Sequence, residues 1–90
     1  VSPNLKDPEN YVIMIVAENA TQLGLLFDYL QGFGFRVLVA DTGESALAMA
    51  EMTRPDIVLL DVILPTIDGF DTCRRLKQTE LTRDIPVIFI

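Results

Sequence analysis

The chain contains no histidine and a single cysteine, Cys73. One cysteine cannot form an internal disulfide, and the composition fits a reducing compartment, so a cytoplasmic location is expected. Without histidine, a structural zinc site has no ligand set to draw on. Positive charge is also scarce: seven Lys and Arg face thirteen Asp and Glu, giving a net charge of -6. Nucleic-acid binding by this segment is not expected, because phosphate contacts need clustered cations. Long apolar runs are missing as well. None approaches the roughly 20 residues that cross a bilayer, so no membrane contact by this segment is expected. No charged-then-apolar stretch resembles a secretion leader, and no internal repeat or low-complexity tract occurs.

What is present is enough apolar material for one core. Half of the 90 residues are hydrophobic, in a length that suits one domain of slightly less than common size. Residues 1–10, with two Pro and two Asn, read as a linker. Residues 11–90 read as the domain. The run from Tyr11 to Val16 suits a strand buried on both faces. Leu23, Leu26, Phe27 and Leu30 form one stripe of a helix over 21–31, stopped by Gly32 and Gly34. Residues 35–40 read as a strand, and Arg36 suggests an edge position. Asp41 or Thr42 can cap an Ala-rich helix over 44–52. Ile57-Val58-Leu59-Leu60 is a third strand. Asp68 can cap a third helix reaching Gln78, with Arg74, Arg75 and Lys77 in its later turns. Pro86 opens a fourth strand that runs to Ile90.

Strands and helices alternate with short connections. That order demands a parallel sheet with right-handed crossovers. In such sheets the carboxyl ends of the strands carry the chemistry. Asp61 ends the third apolar run, and a carboxylate there is costly unless something uses it. The first strand ends at Val16-Ala17-Glu18-Asn19. If the first and third strands are neighbours, Glu18 and Asp61 share a crevice. Two such carboxylates repel, and a hard cation such as Mg²⁺ relieves the repulsion. A carboxylate facing bound Mg²⁺ can accept a phosphoryl group.

The segment DIVLLDVILPTIDGFDTCRRL, residues 56–76, resembles the third strand, phosphorylation loop and third helix of response-regulator receiver domains. Its RPDIVLLD followed by P-x-x-D-G carries most of the likeness. IPVIFI at 85–90 is similar to the family's fourth strand, and FRVLVADTGESALAMA at 35–50 to its second strand and helix. The resemblance implies a doubly wound α/β fold of flavodoxin-like strand order 2-1-3-4, with the fifth strand and last two helices missing after Ile90. It implies a signalling domain, not an enzyme, although the parent protein can be a hybrid histidine kinase. Asp61 would be the phosphoacceptor. Glu18, Asp61 and the backbone carbonyl of Ile63 would hold Mg²⁺. The family's acidic pair falls on Ala17 and Glu18. Ala17 removes one carboxylate and Glu18 adds a methylene, so weak metal binding is expected. The implied partners are a sensor histidine kinase or phosphotransfer protein and an attached output or kinase domain. The alternative is a degenerate receiver that works as a phosphorylation-independent interaction or dimerisation module.

Blander readings stand beside these. Asp61 can be a structural carboxylate and Glu18 a solvated loop acid. Asp68 reads as a helix cap, Gly69 as a tight-turn residue, Pro65 as a loop former and Cys73 as a small packing residue. Gly32-Phe33-Gly34 ends a helix and so is not a dinucleotide fingerprint. Asn19-Ala20-Thr21 makes a poor phosphate cradle, which disfavours a flavin- or nucleotide-binding enzyme of the same topology. The Arg74, Arg75 and Lys77 cluster reads as a solvated face. Leu25 and Tyr29 lie opposite the main stripe of the first helix, where receiver domains pack their last helix. With that helix absent, self-association is expected.

Overall fold

The computed structural model describes residues 7–90. The linker expected over residues 1–10 lies partly outside them. Of its remainder, Pro8–Asn10 form one turn of 3₁₀ helix.

The seven larger elements alternate along the chain: β1 (Val12–Val16), α1 (Ala20–Gly32), β2 (Arg36–Ala40), α2 (Gly43–Thr53), β3 (Ile57–Leu60), α3 (Gly69–Gln78) and β4 (Val87–Phe89). The strands form one sheet in the order β2-β1-β3-β4, and every pairing is parallel. This is the expected 2-1-3-4 order. The connection from β1 to β2 runs one way along the sheet, while those from β2 to β3 and β3 to β4 run the other. With right-handed crossovers, α1 therefore lies on one face and α2 and α3 on the opposite face.

Each α-helix starts on a side-chain cap. Asn19 accepts a hydrogen bond from Gln22 N at 3.1 Å, Thr42 from Ser45 N at 3.0 Å and Asp68 from Asp71 N at 2.8 Å. In each case the third helical N–H, which has no partner inside the helix, is satisfied. Between Asp41 and Thr42, it is Thr42 that caps α2. Gly34 closes α1 with φ +93, a conformation that favours glycine.

The core lies under α2 and α3. Met14 and Val16 of β1, Val58 and Leu60 of β3, Ala46 and Ala50 of α2 and Leu76 of α3 pack there without solvent contact. Cys73 packs partly buried against this cluster, as a small apolar residue. Along β1, side chains alternate between faces, so Ile13 and Ile15 point to the α1 side, and both are buried. That second face is only half covered. Leu25 is 70% exposed, Tyr29 66% and Ile88 49%. The outward position expected for Leu25 and Tyr29 is the one observed.

Arg36 is exposed at the edge strand, as anticipated. The basic cluster on α3 is not simply solvated. Lys77 Nζ donates to the carbonyls of Ile85 and Arg83, and Arg74 pairs with Asp71. Lys77 thus ties the end of α3 to the turn that leads into β4.

Candidate phosphoacceptor site

The site begins with the pairing of β1 and β3. Val16 stands beside Leu60 in register, and Asp61 N donates to Val16 O at 2.8 Å. The residues that follow the two strands therefore leave the sheet side by side. Glu18 and Asp61 line one open crevice of about 510 Å³, together with Asn19, Gln22 and Ile63. The sharing of a crevice, conditional in the sequence on adjacency of the strands, is met. Ala17, fully buried, brings no polar group to the crevice.

Asp61 is half-buried, and Glu18 is exposed. Asp61 Oδ1 accepts a hydrogen bond from Ile63 N at 3.2 Å. This bond orients the carboxylate from its own loop through one of its two oxygens. Ile63 itself projects outward, 80% exposed.

Gly69 explains how the loop closes back on Asp61. Its N–H donates to Val62 O at 2.8 Å. A Cβ at this position would stand 2.2 Å from Asp61 O and 2.8 Å from Val62 Cα. The sequence suggested a tight-turn role for Gly69. The structure gives another reason: the first residue of α3 rests directly on the backbone of the Asp61 segment, with no room for a side chain. Asp68, just before it, is the helix cap expected for it.

Two lining residues escaped the sequence reading. Asn19 counts in the sequence only as part of a poor phosphate cradle and Gln22 only as a helix residue, yet both line the crevice. Their signal was a helix start, an Asn cap with Gln three residues on. A further link, between Thr66 in the β3–α3 loop and Glu44 of α2, was also unforeseen. The Thr66 hydroxyl lies 2.8 and 2.6 Å from the two Glu44 carboxylate oxygens.

The donor atoms in the crevice are hard oxygens: two carboxylates and the backbone of the loop. Among the described residues no group of three or more His, Cys, Asp or Glu side chains converges on a point. A cation that keeps several of its own waters and takes one or two carboxylates, as Mg²⁺ does, fits this set. Zinc in a closed protein cage does not.

Residues 13–90 match the family described as response regulator receiver domain. The chain belongs to that family. It is 44% identical over 78 residues to the response regulator PleD of Caulobacter vibrioides, covering 87% of this chain and 17% of PleD. It is 36% identical to the protein PilH of Pseudomonas aeruginosa, covering 87% of this chain and 64% of PilH. The chain thus spans less than two thirds of these relatives. Among solved structures, the N-terminal domain of a response regulator receiver protein from Methanoculleus marisnigri superposes with a TM-score of 0.85 at 35% identity, covering 89% of this chain and 65% of that one. The receiver domain of a sensor histidine kinase from Pseudomonas aeruginosa superposes with a TM-score of 0.84 at 30% identity, over 88% of this chain and 65% of that one. That structure holds a magnesium ion coordinated in its active site cleft. Receiver domains are signalling modules of two-component systems, and this chain is one of them by sequence and by strand order.

Proposed function

We propose that this receiver takes a phosphoryl group onto Asp61 from a phosphohistidine on a sensor histidine kinase or phosphotransfer protein. The observation that carries the reading is the shared crevice of Glu18 and Asp61 at the carboxyl ends of adjacent parallel strands. An Asp61 carboxylate oxygen attacks phosphorus, the phosphorus–nitrogen bond breaks, and its electron pair stays on the imidazole. The product is an acyl phosphate at Asp61. The Ile63 N–H holds Oδ1 of Asp61, which turns the other oxygen toward the donor. Glu18, Asp61 and the Ile63 carbonyl would hold Mg²⁺. When bound, it supplies positive charge against the oxygens of the transferring group. Because Ala17 contributes no carboxylate, binding weaker than at a site with two acids on β1 is the expectation. The receiver passes its state to an attached output or kinase domain.

A fully buried alanine at the position where the family places an acid also favours a second reading, an interaction module that signals without phosphorylation. One experiment separates the two. The protein is incubated with acetyl phosphate and Mg²⁺, and its intact mass is measured beside Asp61→Asn. A Mg²⁺-dependent gain of one phosphoryl group, absent in Asp61→Asn, is the expected result. No gain, under conditions that modify Ala17→Asp, would establish a degenerate receiver instead, with its function to be sought in a binding face.

A further inference from the structure

Thr66 has φ +64. For a β-branched residue this left-handed conformation is an outlier, and such residues persist only where the surroundings hold them. The restraint is visible. The Thr66 hydroxyl has one proton and three acceptors in reach: the two Glu44 oxygens at 2.8 and 2.6 Å and Pro65 O at 2.6 Å. An ionised carboxylate is the stronger acceptor, so the proton goes to Glu44. The Glu44 carboxyl is accordingly held below its usual range, chiefly by this hydroxyl and next by its own backbone N–H.

The neighbouring residues repeat the contact. A Cβ on Gly43 would lie 2.2 Å from Thr72 Oγ1 and 2.6 Å from Ile67 Cγ1. Ile67 and Thr72 therefore sit directly on the backbone of Gly43. Two consecutive residues at the start of α2, Gly43 and Glu44, thus seat two consecutive residues of the β3–α3 loop, Ile67 and Thr66. The same loop carries the Ile63 N–H that orients Asp61.

We propose that Glu44 is a positioning residue for the acceptor site, acting as a latch on Thr66 that keeps the β3–α3 loop in the conformation that presents Ile63 to Asp61. The effect on phosphorylation rests on Asp61 being the acceptor; the effect on the loop does not. Glu44 reaches the chemistry only through Thr66 and the backbone between Thr66 and Ile63. A glycine at position 66 adopts the left-handed conformation without steric cost. In a Thr66→Gly background the loop needs no latch, and Glu44 becomes dispensable.

The test compares wild type, Glu44→Ala, Thr66→Gly, the double variant and Glu44→Gln. Two readouts are taken: backbone ¹³C chemical shifts at positions 63 and 66 without any phosphodonor, and the rate of Mg²⁺-dependent phosphorylation by intact mass. Glu44→Ala is expected to move the position-66 shifts out of the left-handed pattern and to slow phosphorylation about fivefold, the scale of one hydrogen bond. Adding Glu44→Ala to Thr66→Gly should change neither readout. Glu44→Gln keeps an acceptor oxygen and should restore most of the wild-type behaviour. Equal effects of Glu44→Ala in both backgrounds would overturn the latch and reduce Glu44 to a favourable charge at a helix start. Unchanged position-66 shifts in Glu44→Ala would overturn it too. If wild type itself gains no phosphoryl group, the acceptor reading fails, while the chemical shifts still decide the latch.

Discussion

Asp61 and Gly69 act as a pair, one supplying a carboxylate and the other an absence of side chain. Glycine at position 69 lets the α3 N-terminus approach the Asp61 carbonyl more closely than any Cβ allows. Gly69→Ala should force the helix start and the Asp61 backbone apart. Overpacking of this kind costs about 1–3 kcal/mol, measurable as a lowered urea midpoint. Because the strain falls on the Asp61 segment, the proposed Mg²⁺-dependent phosphorylation should drop as well. At this scale the sequence is informative about chemistry and silent about contact. Asp61 stands out because a carboxylate at the end of an apolar run has few structural excuses. Glu18 follows from it once the strands are adjacent. The demand on Gly69, and the left-handed turn at Thr66, depend on the path of a loop through space. No periodicity in the chain encodes that path.

The helices owe their starting points to three short polar side chains, Asn19, Thr42 and Asp68, each bonded to the third helical N–H. Thr42→Ala should cost about 1 kcal/mol, the usual worth of such a cap, read as a fall in thermal midpoint. It lies on the α2 side of the latch, so position-66 chemical shifts should stay in place if only the cap is lost. Elements were the most legible level of this chain. β1, β2 and β3 are apolar runs of strand length, α1 has a clear stripe, and Gly and Pro punctuate the joints. The sequence placed two of the three caps, leaving Thr42 to be chosen over Asp41. It missed Asn19, because its neighbours were weighed as a ligand cradle. It also missed the anchoring role of Lys77, since a cation late in a helix has an adequate explanation in the helix dipole alone.

At the scale of the described fold the molecule is lopsided. One face of its sheet is sealed by α2 and α3, and the other leaves Leu25, Tyr29 and Ile88 in water. Among the described residues, β4 beside Ile88 is an edge of the sheet. Exposed apolar surface next to an open strand edge favours association. A chain of these ninety residues should show a mass that rises with concentration in sedimentation. Leu25→Lys combined with Tyr29→Lys should lower that tendency while leaving the far-ultraviolet circular dichroism unchanged. A mass that stays constant across concentrations would show that this face tolerates water. The strand order itself was readable in advance from the alternation of elements together with the resemblance, because parallel crossovers leave few arrangements. The degree of exposure followed only once α1 was seen to cover part of its face.

The pairing of β1 with β3 also has a consequence in time. Val12 and Asp56 are joined by a hydrogen bond across 44 residues of chain, and the same long-range register brings the end of β1 beside Asp61. Such pairings are slow to form, because a long loop must close before any contact rewards it. A chain still emerging from the ribosome has neither crevice nor paired carboxylates until α1, β2 and α2 are in place. The crevice that the proposed phosphotransfer needs thus arises only in a molecule that has completed this closure, and half-made chains lack it.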